Sequence, residues 1–432
     1  MQIDWKTLPA DVTSSQGVAA HGFEYRVVDT DDAASYRPYL YAEMRGFLSE
    51  EQTAEQQAGM AEALAFRRFT GVYDPAALHP AQPVGTVNSW ITPLTLPGGG
   101  DIDMWAISGV TVAATHRRRG IARAMLEGEL RTASDAGLAI AGLTVTESMI
   151  YGRYGFSPAT FASDWTIDTR RVTWTGSRPA GRLDFVERDR LAADLAELHA
   201  RVRHLRPGEV DAWPALWRRM AGMSPGQEGA NKLRAVRYAD GAGVTRGIVV
   251  YRLTENADEY TEHTLAVHHL VSETDDAYRA LWRFVLEHDL VATVTASLRP
   301  VDDPLRWMIA DHRAAKVETY EHEYLRILDV PAVLGARSYA AAATFVLRVT
   351  DPLGFADGTW RLHIESGVGT ASPTDEPAHI TLSVGALSSL LLGGVRATAL
   401  ATAGLIEADS QTLGAVDAAF HSVVTPNLSL WY

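Results

Sequence analysis

Apolar and polar positions alternate with two different periods along this chain, and the switches between them mark its elements. Phe23 to Val28 (FEYRVV) alternates residue by residue and predicts a strand. Asp32 to Phe47 places Tyr36, Leu40, Met44 and Phe47 at helical spacing, and Thr53 to Arg67 continues the helical pattern. Arg68 to Tyr73 and Val84 to Pro93 read as strands, and the run PGGG at 97–100 reads as a turn. Asp101 to Val112 is a long strand, Gly120 to Ala136 a helix, and Leu138 to Thr146 a buried strand. Strand, helices, three strands, helix, strand is the order of a mixed α/β domain.

The same coarse order returns after Pro158. Strand-like pieces fill Thr160 to Thr175 and Gly181 to Val186, and Arg188 to Arg203 and Trp213 to Met220 read as helices. Val244 to Leu253 and His263 to Leu270 read as strands, Glu273 to His288 as a helix carrying Tyr278, Leu281, Trp282 and Val285 on one face, and Val291 to Leu298 as a strand. A duplication at the level of fold is expected, with no residue-level repeat. Asp329-Val330-Pro331 reads as a hinge. Beyond it, short strands at Ala343 to Val349, Gly358 to Glu365 and His379 to Ser383 precede helices at Val384 to Leu392 and Thr412 to Phe420. The expected domains are 1–158, 159–329 and 330–432. The final pair Trp431-Tyr432 is unusual for a frayed tail, which is normally polar, so a buried end is expected.

Composition narrows the chemistry. The 432 residues contain no cysteine, which removes disulfides, thiolate metal sites and cysteine nucleophiles. Basic residues number 39 and acidic residues 53, for a formal charge of −14. That balance argues against nucleic acid and anionic membrane as partners and suits a cationic small molecule. The N-terminal stretch lacks a charged region followed by an apolar run, and no uncharged apolar stretch is long enough for a membrane span. A cytoplasmic protein is expected. No HExxH or HxH zinc pattern, GxSxG elbow or GxxxxGK phosphate loop occurs, so no metal is expected.

Against this acidic background, His116-Arg117-Arg118-Arg119-Gly120 stands out, lying between the strand end Val110-Thr111-Val112 and a helix. A helix start offers unpaired N–H groups and the positive end of the dipole, and Gly120 permits close backbone approach. Together these form an anion cradle suited to a pyrophosphate, although a solvated arginine turn has the same letters. Tyr151 follows the last strand of the first domain; a tyrosine hydroxyl is mostly protonated near neutral pH and can serve as a general acid. Tyr154 competes for that role. Asp29, Asp31, Asp32, Tyr36, Glu43 and Phe47 read first as an ordinary capped, solvated helix and second as an acidic, aromatic acceptor wall.

Arg117-x-x-Gly120-x-Ala122 after Val110-Thr111-Val112 resembles the acetyl-CoA motif of the GNAT superfamily of N-acetyltransferases. The runs THRRRGIARAM and IYGRYGFSPAT resemble the Eis (enhanced intracellular survival) family within it, most strongly from 107 to 160. That resemblance implies two tandem GNAT-like mixed-sheet α/β (α+β) domains, the second degenerate, followed by an α/β domain like that of sterol carrier proteins. It implies acetyl-CoA contacts from Val110, Thr111 and Val112, from Arg117, Arg118, Arg119, Gly120, Ile121, Ala122 and Arg123, and from Thr146 and Glu147. It implies Tyr151 as the general acid and the carboxylate of Tyr432 as the base, homohexameric assembly, and amine acceptors such as aminoglycosides. Trp431 departs from expectation, since a polar or acidic residue next to the base would help hold a cation. Protein lysines, polyamines and arylalkylamines are alternative acceptors, and a lipid carrier on a GNAT scaffold is the alternative of another class. No RxxGxG/A loop lies between His263–Leu270 and Glu273–His288, in keeping with a second unit without cofactor.

Overall fold

The alternating run near residue 24 forms β1 (Glu24–Val28), and the chain then builds β2 (Arg68–Tyr73), β3 (Gly85–Thr95), β4 (Asp101–Val112), β5 (Ile140–Thr144) and the short β6 (Ser157–Pro158). The computed structural model describes residues 3–432. Helices α1 (Val12–Ala19), α2 (Ala33–Gly46), α3 (Ala54–Leu64) and α4 (Ile121–Asp135) accompany these strands. Helix α1 is not foreshadowed by the hydrophobic pattern. Its face is weakly apolar, but Asp11 caps it by accepting the Ser14 N–H at 2.7 Å and also holds Arg131 of α4 at 2.8 Å.

Two compact units emerge. One gathers the chain up to Ala159, Glu323–Val423 and Tyr432; the other gathers Thr160–His322 and Val424–Trp431. The second unit contains β7 (Phe161–Asp168), β8 (Arg182–Phe185), α5 (Arg188–Val202), α6 (Pro214–Met220), β9 (Leu233–Ala239), β10 (Thr245–Thr254), β11 (His263–Ser272), α7 (Asp275–Leu286), β12 (Val291–Pro300) and β13 (Ala315–Glu321). Its seven strands run in the order β13-β7-β12-β11-β10-β9-β8, with β11 and β12 the parallel pair.

The chain then returns to the first unit. Strand β14 (Glu323–Ile327) pairs antiparallel with β5 and completes a first sheet of order β1-β2-β3-β4-β5-β14-β6. What reads in sequence as a hinge at 329–331 is a helix start. The Asp329 carboxylate accepts the Ala332 N–H at 2.9 Å and Pro331 sits in the first turn of α8 (Val330–Ala336). A third sheet follows, built from β15 (Ala343–Thr350), β16 (Gly358–Glu365), β17 (Val368–Pro373), β18 (Ile380–Ser383) and β19 (Ile406–Glu407) in the order β17-β16-β15-β18-β19. Helices α9 (Val384–Leu390), α10 (Ala397–Thr402) and α11 (Ser410–Phe420) complete it.

The first core is packed around Trp105, Ile107, Met125, Leu126, Leu130 and Leu143, all essentially sealed from solvent. One charge pair lies inside the same unit. Glu129 of α4 accepts Arg68 Nη1 at 2.7 Å, Ser89 Oγ at 2.6 Å and Trp105 Nε1 at 3.0 Å, so both charges are buried but fully hydrogen-bonded. Two tandem mixed α/β domains of related topology plus a smaller α/β domain is the architecture: β2-β3-β4-β5 with α4, and β9-β10-β11-β12 with α7, are the same arrangement twice.

Candidate active site

Strands β4 and β5 pair only at Trp105–Ala141 and Ala106–Gly142, then part. Past that point Ile107–Val112 is bonded only to β3, and Leu143–Thr144 only to β14, so two strand edges face an open wedge. A bulge sharpens the bend of β4: Asn88 opposes Ser108 while Thr86 opposes Thr111, leaving two residues against one. Gly109 makes it possible. Its φ is +63°, and a Cβ there would lie 2.2 Å from Asn88 Nδ2 and 2.6 Å from Glu43 Oε1. The Gly109 carbonyl accepts Thr86 Oγ1 at 2.8 Å, and the edge of 107–112 turned away from β3 has no strand beside it, which suits a ligand with amide groups of its own.

The loop between β4 and α4 completes one end of the wedge. His116 is turned aside, its Nε2 3.0 Å from Asp74 Oδ2, a pairing that also holds the Asp74 carboxyl below its usual range. Arg117, Arg118 and Arg119 are exposed. Arg118 and Gly120 both take positive φ, +63° and +75°, the left-handed backbone found where loops gather N–H groups around an anion. Helix α4 then begins with no side-chain cap and no acid in its first turn. Bare N–H groups, helix dipole and arginines together fit a pyrophosphate.

On the opposite strand, Thr146 and Glu147 lie exposed just past β5. Tyr151 opens a tight turn, Tyr151–Tyr154, and its ring is buried edge-on to Phe156 at 6.2 Å. Burial, with smaller contributions from the Glu147 and Tyr154 charges, pushes its phenol up to about 12. The hydroxyl therefore stays protonated and available as a donor. The competing Tyr154 closes the same turn, and its ring is buried. Its carbonyl accepts Arg326 Nε at 2.7 Å, and Arg326 is in turn paired with the buried Asp351 at 2.8 Å.

Tyr432 joins the same strand. Its main-chain oxygen accepts Thr144 Oγ1 at 2.7 Å, so this oxygen and Tyr151 are tied to opposite ends of the segment 144–151. The Tyr432 phenol donates to Glu323 Oε1 at 3.1 Å and its ring meets Trp90 edge-on at 5.5 Å. The expected buried end is not found: Tyr432 is half-buried and Trp431 is 40% exposed. Sequence reasoning misses Thr144, Glu323 and Trp90 because each sits in an ordinary alternating strand run, where nothing separates a functional side chain from a packing one.

The acidic wall dissolves into separate roles. Asp32 caps α2 through Ala34 N–H at 3.0 Å, Tyr36 packs on Phe69 and Phe47 is exposed. Glu43 alone reaches the bulge, accepting Asn88 Nδ2 at 3.2 Å, while Asn88 Oδ1 accepts Arg67 Nη1 at 3.0 Å and Arg67 lies 3.9 Å over the Trp90 ring. Burial pushes the Glu43 carboxyl up to about 7 against the opposing pull of Arg67 and Asn88.

Family models agree with this architecture. An acetyltransferase (GNAT) domain matches residues 32–159, a second one matches 208–327, and a sterol carrier protein domain matches 330–429. An uncharacterized N-acetyltransferase of Streptomyces avermitilis is 34% identical over 384 residues, covering 86% of this chain and 90% of that protein. The N-acetyltransferase Eis of Mycobacterium tuberculosis is 33% identical over 344 residues, covering 77% and 81%. Among solved structures, Eis1 from Mycobacterium abscessus superposes with a TM-score of 0.81 at 27% identity, over 95% of this chain and all of that one. A GCN5-related N-acetyltransferase from Anabaena variabilis shares the fold at a TM-score of 0.79 and 19% identity.

Proposed function

This chain belongs to the Eis N-acetyltransferases of the GNAT superfamily, and on that premise we propose that it uses acetyl-CoA to acetylate amines of polycationic small molecules, aminoglycosides foremost. The observation that carries the reading is the wedge between β4 and β5, closed at one end by a helix start without cap or acid and by three exposed arginines. Val110, Thr111 and Val112 offer the free strand edge. Arg117 to Arg123, with Gly120, Ile121 and Ala122 at the helix start, receive the pyrophosphate, and Thr146 and Glu147 border the other strand. Acetyl-CoA, when bound, supplies the thioester carbon that the acceptor nitrogen attacks. The Tyr432 carboxylate takes the proton lost by the amine, and the Tyr151 hydroxyl gives a proton to the departing sulfur. Thr144 holds the carboxyl oxygen by one hydrogen bond.

Acceptor preference follows from charge: the chain is strongly acidic, and a polycation is drawn to it. Hexameric assembly accompanies the reading and is checked by light scattering on the purified protein. The deciding experiment is thiol release from acetyl-CoA with aminoglycosides, polyamines, arylalkylamines and lysine peptides as acceptors. Release with aminoglycosides is expected. Release with lysine peptides or arylalkylamines alone replaces the acceptor class. Absence of acetyl-CoA binding together with co-purified lipid moves the protein to the carrier reading.

A further inference from the structure

The second unit has a wedge of its own, and a piece of its own chain lies at that wedge. Strands β11 and β12 pair in parallel from His263–Val291 to Val267–Ala296, after which β11 continues against β10 alone. The register of β10 and β11 slips at His268, a bulge in the place that Gly109 holds in the first sheet. The segment 424–431 borders this opening on two sides. A cavity of about 400 Å³ is lined by His269, Leu298 and Arg299 together with Asn427 and Ser429. Another of about 320 Å³ is lined by His268 and Leu298 together with Leu430 and Trp431.

The segment is fastened by regular hydrogen bonding. Asn427 N–H donates to the Pro207 carbonyl at 2.9 Å. Ser429 donates twice to Glu209, N–H to Oε1 at 3.1 Å and Oγ–H to Oε2 at 3.0 Å. Between these anchors Leu428 is sealed, as is Leu430 beyond them. Gly208 lets the 207–209 loop come this close: at φ +92°, a Cβ would lie 2.7 Å from Thr160 Cγ2 and 3.1 Å from the Asn427 carbonyl. The Leu430 carbonyl meets His322 Nε2 at 2.8 Å. A carbonyl only accepts, so Nε2 carries the proton. Trp431 packs edge-on against the same ring at 4.5 Å.

We propose that the strand split of the second unit serves as a seat for the chain's own segment 424–431, with Glu209 and His322 as positioning residues for it and, through the next peptide bond, for Tyr432. The consequence for catalysis rests on the reading of Tyr432 as the base. The seat itself rests only on contacts within the second unit. In place of a nucleotide's arm, the split borders a peptide: loop 207–209 takes the Asn427 N–H on a backbone carbonyl and both Ser429 donors on the Glu209 carboxylate.

The test uses the full chain with Glu209→Ala, Glu209→Gln and Ser429→Ala. Amide hydrogen exchange is followed in the peptide spanning 424–432, alongside kcat and KM for acetyl-CoA. In Glu209→Ala, exchange of 427–430 rises on the order of tenfold or more, the reach of one lost buried hydrogen-bonding group. Exchange in β10–β12 stays unchanged, which excludes general unfolding. Glu209→Gln restores protection, because an amide can accept the Ser429 N–H and donate to its Oγ. Ser429→Ala shows a smaller rise. With the carboxylate of Tyr432 displaced, kcat falls by as much as a hundredfold while KM for acetyl-CoA holds. Unchanged exchange in both Glu209→Ala and Ser429→Ala overturns the seat. Faster exchange with undiminished kcat leaves the seat standing and overturns Tyr432 as the base.

Discussion

In the first unit the helix that follows the split strand begins bare: α4 has no cap, no acid in its first turn, and Arg117, Arg118 and Arg119 just ahead of it. In the second unit the corresponding α7 begins with Thr274 Oγ1 accepting the Ala277 N–H at 3.2 Å and with Asp275 and Asp276 in the first turn. Both sheets carry the bulge and the parting parallel pair. The backbone thus determines where a ligand can lie, and a handful of residues at the helix start decide what kind. Spare N–H groups and arginines invite an anion; a cap and two carboxylates satisfy the same helix end and repel one. The inner faces of the two helices differ as well. Glu129 of α4 answers Arg68 in the core, whereas α7 buries Ala277, Leu281, Trp282 and Val285.

The sharpest way to break this contrast is to silence one side. Tyr151→Phe should lower kcat by ~10²–10⁴, the usual worth of a positioned acid, with acetyl-CoA binding by calorimetry unchanged. Substantial residual thiol release would overturn Tyr151 as the acid. Next in size is the buried pair. Glu129→Ala strands the Arg68 charge and should cost ~3–5 kcal/mol in the urea transition of the first unit. Leu281→Ala in the apolar counterpart costs ~2–5 kcal/mol by cavity formation alone. A smaller effect reverses the helix start itself: Ala122→Asp places on α4 the kind of acid α7 carries. Its dipole and charge effect of up to ~2 kcal/mol predicts acetyl-CoA binding weakened by as much as about thirtyfold, whereas Asp276→Asn leaves it unchanged.

A separate effect is a dependence on pH confined to the second unit. Burial lowers His322 from 6.5 to about 4, opposed by the Leu430 carbonyl and by Asp164. The folded ring refuses a proton that the unfolded chain accepts. Its contribution to stability is therefore complete above pH 6.5, declines as pH falls from 6.5 toward 4, and is level below that. His269, lowered to about 3, acts with the same sign. His322→Gln keeps a donor for Leu430 without titrating, so urea midpoints measured against pH should show a shallower decline in that variant.

Periodicity made the first domain legible. Arg68–Tyr73 and Asp101–Val112 form strands with the expected ends, and the α4 and α7 helices lie within the expected spans. The bulge at Gly109 is not legible, because a glycine in a strand has several uses and only the pairing register distinguishes them. Strands β9 and β14 escaped for a different reason: their runs are broken by arginines, yet Arg326 is buried and answered by Asp351, a partner no local pattern reveals. The basic loop was visible as letters, but the absence of a cap on α4 depends on atoms. Thr144 was invisible in principle, since its partner lies 288 residues away.

That separation has a consequence for how the molecule is made. Strand β5 is flanked on one side by β14, so the first sheet lacks an interior member until the chain has been synthesised past Ile327. A ribosome releasing the chain in order exposes the β5 edge through the whole production of the second unit, and unpaired edges invite intermolecular pairing. Sequence-distant pairing of this kind also slows folding. The first domain is therefore an early starter and a late finisher, and a fragment ending near residue 158 would carry into the test tube the open edge that the full chain closes only with β14.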